Sequence, residues 1–242
     1  MIQACLNGGC DREAHPRCPI TPSEVAADAI AAVAAGADEI HVHARDLDGN
    51  ESLDADVVAG TVAALRETTD AFISLSTGAW IVGGPARLAA VEGWRTLPDR
   101  VSINLHEAGS VELAEAVLAR GMGVEAGVWS PDAAAVLAAS GLAERCVRIL
   151  VEVHDAPTTG EALAAVDAIV AALDGVAPEV PRLLHGYGPT AWDMVAEAGR
   201  RGYDTRIGLE DTTRLPDGKV TPGNAELVRV ALAHYREAEL SV

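Results

Sequence analysis

Short apolar runs rich in Val, Ile, Leu and Ala alternate along the whole chain with longer stretches whose apolar residues recur at helical spacing. The strand-like runs fall at residues 2–6, 39–43, 72–76, 101–105, 123–127, 147–154, 182–185 and 205–210. Between them the pattern predicts helices near 55–67, 85–94, 111–120, 132–139, 161–173 and 190–201, plus one before the second strand and one from about Pro222. The first of these helices is well punctuated. Thr21 can cap it, Pro22 suits its first turn, Glu24 completes a T-x-x-E capping box and Gly36 can end it. The last repeats a Thr-Pro start at Thr221. Eight strand and helix units are what closes a parallel barrel, so the expected fold is α/β, a single-domain (β/α)8 TIM barrel over residues 1–242.

Composition narrows the function classes. Hydrophobic residues make up 49% of the 242 residues and aromatic ones only 3%, which suits close packing of helices on strands. Eighteen Lys and Arg stand against 36 Asp and Glu, for a net charge of −18. Such a surface repels phosphate backbones and anionic membranes, so neither nucleic acid nor membrane is an expected partner. No apolar run approaches the roughly 20 residues a bilayer requires, and the start of the chain lacks a basic segment followed by an apolar one, so the expected location is cytoplasmic. Three of the four cysteines, Cys5, Cys10 and Cys18, crowd the first strand and loop while Cys146 stands alone, unlike a disulfide framework. Cys10, His15 and Cys18 have no evident fourth ligand nearby, and an ordinary loop is the simpler reading.

Catalytic groups of a parallel barrel come from the C-terminal ends of its strands and the following loops. Polar residues collect there: His41 and His43; Ser74, Ser76 and Thr77; Asn104, His106 and Glu107; Glu125; Glu152 and His154; His185; Arg206, Glu210 and Asp211. His41 and His43, two apart in a strand, point the same way, as Arg206 and Glu210 would on a strand reaching 210. Two imidazoles side by side on a strand, with a carboxylate from another strand, suit a zinc or other divalent ion that keeps a position open. Glu125, inside an apolar strand, requires a buried partner, for which Arg206 is the candidate. Ser76, Thr77 and Asn104 are candidate substrate-binding groups, although small polar residues at strand ends also satisfy loop backbone. His154 and His185, also candidates to face substrate, fit a supporting role more readily than a ligating one. His106, His15 and His234 carry no assignment. The single lysine, Lys219, lies in a turn-like segment, which excludes a Schiff-base aldolase. Neither a G-x-G-x-x-G after a strand nor a P-loop motif is present.

The segments "LNGG…HPRCPITPSEVAADA", "AGADEIHVHARDLDG", "LSTGAW", "GVEAGVW" and "DTRIGLED", in that order, resemble the β-keto acid cleavage enzyme family, of which 3-keto-5-aminohexanoate cleavage enzyme is the type. The resemblance implies a (β/α)8 barrel with a divalent metal, usually zinc. It also implies a reversible Claisen-type exchange in which a β-keto acid and acetyl-CoA give acetoacetate and a new acyl-CoA. His41, His43 and Glu210 would be the metal ligands, Asp211 the general base, Arg206 the catalytic arginine, Glu125 the glutamate orienting it, and Ser76 a substrate-binding serine. A homo-oligomer, dimer or tetramer, is implied as well. The sequence departs from the family pattern in two places. The usual "STGG" reads "STGAW", which places Trp80 near the site, and the loop after the fourth strand reads "INLHEAGS". The chain is also shorter than typical members. Two other readings stand beside this one. An amidohydrolase-like hydrolase would bind metal through His41, His43, His154, His185 and Asp211, but it expects its H-x-H after the first strand and leaves Glu210 without a role. A metal-binding barrel with no activity would give Asp211 and Arg206 no reason to converge.

Overall fold

In the computed structural model, which describes residues 1–154 and 156–241, the Thr21 capping box forms as the sequence predicts. The backbone N–H of Glu24 donates to the Thr21 hydroxyl at 3.3 Å and the backbone N–H of Thr21 returns a bond to the Glu24 carboxylate at 3.0 Å. From it runs α1 (Pro22–Ala34), laid between β1 (Ile2–Cys5) and β2 (Glu39–Val42). The alternation then continues through α2 (Ala55–Arg66), β3 (Phe72–Ser76), α3 (Gly84–Glu92), β4 (Arg100–Asn104), α4 (Ser110–Ala119), β5 (Gly123–Val128) and α5 (Pro131–Ser140). It ends with β6 (Arg148–Val153), α6 (Thr159–Asp174), β7 (Arg182–Gly186), α7 (Ala191–Arg201), β8 (Asp204–Ile207) and α8 (Asn224–Glu239). The strands pair in parallel and in chain order, and β8 pairs with β1, so the sheet closes as the (β/α)8 barrel the sequence predicts. Among the described residues no helix is long and apolar enough to cross a membrane.

Two boundaries differ from expectation. β8 ends at Ile207, so Arg206 and Glu210 do not share a strand face. The reason is Gly208: a Cβ there would lie 1.8 Å from the Cys5 carbonyl oxygen, so the chain passes against β1 and turns. The N–H of Asp211 bonds the Gly208 carbonyl at 2.9 Å, and Asn224 holds the Leu209 N–H at 2.7 Å. The last helix starts two residues after Pro222, because the Thr221 hydroxyl bonds the Gly223 carbonyl at 3.0 Å instead of capping.

The N-terminal mouth of the barrel is sealed by charge rather than by aliphatic packing. Glu39, Arg100, Arg148 and Asp204 are the first residues of β2, β4, β6 and β8, the alternate-strand layer typical of such barrels. Arg148 and Arg100 both bind Glu39, and Arg148 also grips Glu125, its Nε donating at 2.8 Å. Glu125 is fully buried, and Gln3 donates to it as well, at 3.1 Å. The expected pair between Glu125 and Arg206 therefore does not form. Arg148, in register with Glu125 on the neighbouring strand, reaches the carboxylate first. Burial opposes the ionised form of Glu125, but Arg148, His41 and Ser74 outweigh it and lower its pKa.

Removing one member of such a network strands the others in low dielectric. Arg148→Met is expected to destabilise the fold by roughly 3–5 kcal/mol, measured by urea unfolding. A loss under about 1 kcal/mol, the worth of an exposed pair, would mean the layer is solvated.

Candidate metal centre and reaction chamber

His41 and His43 project from β2 with rings 5.3 Å apart, edge to face. Each is fixed through Nδ1. Ser74 donates its hydroxyl to Glu125, which leaves its oxygen to accept the Nδ1–H of His41 at 3.1 Å. His43 directs Nδ1 to the Glu51 carboxylate at 2.9 Å. Glu51 is placed there by the segment that follows the H-x-H. Asp46 accepts the backbone N–H groups of Asp48 and Asn50, both at 2.9 Å, Gly49 takes a φ of 85°, and Arg45 bridges antiparallel to Glu51. Arg45 in turn binds the carbonyls of Gly8, Cys10 and Gly49, tying the β1 loop to this hairpin.

Both Nε2 atoms are thus left facing Glu210 Oε2, each at 3.8 Å. That oxygen is buried and has no hydrogen-bond donor. Among the described residues this His-His-Glu set is the one cluster whose ligand atoms lie close enough for a metal, within 4.8 Å of one another. Three observations fit a divalent ion: the orphaned oxygen, the two imidazoles oriented by hydrogen bonds at their far nitrogens, and the state of His41, whose pKa burial lowers to about 4. Glu210 itself is held ionised: burial opposes the charge, but Arg206, His41 and His43 outweigh it. Its other oxygen accepts from Arg206 at 2.7 Å and from the Tyr187 hydroxyl at 3.2 Å.

Beside this set, Arg206 also approaches Asp211 at 3.5 Å. Its Nε and the second oxygen of Asp211, Oδ2, are both buried without partners, a donor and an acceptor left free. His185 lies between Asp211 Oδ1 at 3.4 Å and Glu152 at 3.3 Å. Burial and Arg206 disfavour its protonation, but the two carboxylates prevail and raise its pKa. Glu152 ionises well below the usual range because His154, His185 and Arg206 overcome the penalty of its burial. Its room comes from Gly127, where a Cβ would lie 2.8 Å from a Glu152 carboxylate oxygen.

A cavity of about 190 Å3 opens over these groups, walled by His41, His43, Ser76, Asn104, His154 and Arg206, among others. Trp80 stands at its rim, half exposed, stacked on His43 with its N–H donated to Glu51 at 2.9 Å. Opposite, Trp129, His154 and Tyr187 form a column, with His154 3.6 Å from the Trp129 ring centre and 4.8 Å from that of Tyr187. Of the sequence candidates, Ser76, Asn104 and His154 therefore meet the cavity. Thr77 gives its hydroxyl to the Ser102 carbonyl at 2.7 Å, and His185 and Glu125 lie beneath the floor. His154 and His185 turn to Glu152 rather than toward His41 and His43, so the five-residue metal set of a hydrolase is not assembled. In the β1 loop, both nitrogens of His15 are engaged, by the Thr221 carbonyl and the Arg17 N–H, and Cys10, His15 and Cys18 form no ligand cluster. Sequence reading missed Glu51, Ser74, Arg148, Glu152 and Tyr187 as working parts. Glu51 had a signal in the Asp-x-Asp-Gly-Asn turn before it, while the others owe their roles to contacts across the barrel.

Fold and site together define a (β/α)8 barrel whose His-His-Glu set could hold a cation. The sequence matches the family model of the beta-keto acid cleavage enzymes over residues 1–242, and the chain belongs to that family. Solved structures with the same fold include ObcA bound to oxaloacetate, 18% identical with a TM-score of 0.72, covering 90% of this chain and 63% of ObcA. ObcA in a ternary complex with a C4-CoA adduct and oxalate is 17% identical at the same TM-score, and the chain again spans 63% of its length. The N-acetylmannosamine-6-phosphate 2-epimerase of Clostridium perfringens is 12% identical with a TM-score of 0.58, covering 87% of each chain. At these identities the likeness is one of fold.

Glu51→Gln keeps the size of the side chain but removes the charge that orients His43. Metal affinity is expected to fall about 10–100-fold, read by competition with a chromophoric chelator, with the unfolding midpoint of the metal-free protein changed little. Unchanged affinity would show that Glu51 has no hold on the centre.

Proposed function

We propose that this chain is a metal-dependent β-keto acid cleavage enzyme, zinc being the expected ion, that exchanges acyl groups between a β-keto acid and acetyl-CoA to give acetoacetate and an acyl-CoA. Family membership supports the reaction class. The observation that carries the reading is the orphaned oxygen of Glu210 between two pre-oriented imidazoles, with the free donor of Arg206 and the free acceptor of Asp211 next to it.

His41, His43 and Glu210 would hold the ion. When bound, it supplies Lewis-acid polarisation of the ketone and offsets enolate charge. Asp211 accepts the substrate proton at Oδ2, while Arg206 and His185 keep its other oxygen fixed. Arg206 Nε stabilises the oxyanion that develops on the thioester's carbonyl oxygen during attack at its carbon. Glu152 sets the orientation of His185, and through it that of Asp211. Ser76 and Asn104 offer hydrogen bonds to the acid's oxygens from the chamber wall. The cytoplasm and a homo-oligomer, dimer or tetramer, belong to the same reading. Leu47, fully exposed at the hairpin tip, offers an apolar contact for a second copy.

Metal content and turnover should separate by residue. His41→Ala is expected to lose near-stoichiometric zinc and activity together. Asp211→Asn should keep the zinc and lose turnover by a factor on the order of 10²–10⁴, the usual share of a proton-transfer group. Elemental analysis and an assay of β-keto acids with acetyl-CoA for acetoacetate decide this. A protein that binds two ions, or an active Asp211→Asn, would sink the assignment.

A further inference from the structure

Two of the four thiols meet in the loop that joins β1 to α1, and the reaction chamber uses neither. The Cys10 N–H donates to the Asn7 carbonyl at 2.7 Å and the Cys18 N–H to the His15 carbonyl at 3.0 Å, two turns that bring together residues eight apart in the chain. The Cys18 thiol donates to the Cys10 carbonyl at 3.1 Å, while the Cys10 thiol donates to the Asp11 carbonyl at 3.5 Å. The sulfurs also act on each other. Hydrogen bonding from Cys18 lowers the pKa of Cys10, against burial and Asp11 and with help from Arg45, and the same contact, with burial, raises that of Cys18. Cys5 and Cys146 are instead pushed up by burial, Cys146 to about 11. The loop thus pairs a thiol that ionises readily with one held protonated beside it.

The pair is asymmetric in access as well. Cys10, 5% exposed, borders a cavity of about 900 Å3 at the loops after β7 and β8. Cys18, 1% exposed, borders a smaller one of about 580 Å3 between this loop, α1 and the start of α8. The loop also reaches the His-His-Glu set. Asn7 accepts the His43 N–H at 2.8 Å and donates to the Pro19 carbonyl, next to Cys18, at 3.1 Å. Gly8 lies against Glu210, where a Cβ would come within 2.1 Å of Cγ, and Arg45 holds the Cys10 carbonyl at 2.7 Å. A covalent tie between residues 10 and 18 therefore restrains a segment bonded to the backbone of His43 and packed on the side chain of Glu210.

We propose that Cys10 and Cys18 are a thiol modification site, a dithiol that reacts with low-molecular-weight disulfides such as glutathione disulfide, Cys10 attacking and Cys18 resolving. The Cys10 thiolate attacks one sulfur of the reagent, whose S–S bond breaks and releases one thiolate. Cys18 then gives up its proton, attacks the Cys10 sulfur and expels the second thiolate. Two protein thiols are oxidised to one disulfide, and one glutathione disulfide is reduced to two thiols. The bridge closes a ring over residues 10–18. Disulfides in reducing compartments are mostly transient and redox-sensing, and two adjacent thiols of unequal acidity suit that use.

The folded full-length protein, equilibrated at neutral pH in glutathione buffers of graded redox ratio and then quenched by alkylation, tests this by thiol count and mass. Free thiols should fall from four to two, with the loss of two hydrogens in mass. Trypsin cuts after Arg12 and Arg17, inside the ring, and should release the Cys10 and Cys18 peptides joined until a reductant is added. Cys18→Ser, which keeps a hydroxyl donor for the Cys10 carbonyl, should stop at glutathione on Cys10. Cys10→Ser should leave Cys18 unmodified. Four free thiols in the most oxidising buffer, glutathione retained on Cys10 of the wild type, or a bridge to Cys5 or Cys146 would each overturn the site. Ready reaction of Cys18 in Cys10→Ser would overturn the order of attack. The tryptic map of the wild type decides the bridge even where a variant fails to fold.

Discussion

A carboxylate with no access to water, Glu125, sets the terms for the rest of the barrel. An ion in that position is tolerated only with counter-charge and hydrogen bonds on every side. Arg148, Gln3 and Ser74 supply them from three other strands, β6, β1 and β3. The Ser74 hydroxyl that satisfies Glu125 is the one that receives Nδ1 of His41, so the charged layer sealing one mouth is coupled through a single serine to the His41–His43 pair at the other. A layer of Leu and Ile would pack as well but could not fix the tautomer of a histidine above it.

The upper layer follows the same rule with less satisfaction. Arg206 is shared between Glu210 and Asp211, His185 between Asp211 and Glu152, and Tyr187 ends the series on Glu210. Every one of these groups is buried or nearly so, yet Glu210, Asp211, Arg206 and His185 each keep an atom without a partner. Buried polar atoms in a stable fold are nearly always paired. Four such groups gather around one small cavity, whereas among the described residues that bind Glu125 at the other mouth Gln3 Oε1 is the atom left unmatched, which sets the two ends apart.

The chain revealed its architecture because each unit carries its own punctuation: the Thr21 box, the Gly36 stop before β2 and the alternation of short apolar runs with Ala-rich helices. The pairing of His41 with His43 was legible for a related reason, since H-x-H places two rings on one strand face whatever else surrounds them. Pairing across the barrel was not. Glu125 plainly required a cation, but whether that would be Arg206 or Arg148 depends on strand register, and the register is fixed by closure of the whole sheet. The end of β8 was hidden for a similar reason. Only the approach of Gly208 to the Cys5 carbonyl shows why the strand must stop before Glu210, and that turn, rather than strand periodicity, brings Glu210 and Asp211 to Arg206.

Charge gives a further constraint on what the upper layer accepts. Four carboxylates, Glu51, Glu152, Glu210 and Asp211, gather around the imidazoles of His41 and His43, opposed by the guanidiniums of Arg206, beside Glu210 and Asp211, and of Arg45, near Glu51. An anion entering alone would meet repulsion from these carboxylates. On the proposed reading, a divalent cation at the His-His-Glu set would offset these charges, leaving the free Nε donor of Arg206 to meet a carboxylate. The acidic groups around the set would then favour metal before substrate, because only the cation reverses the sign of the field that an anion meets.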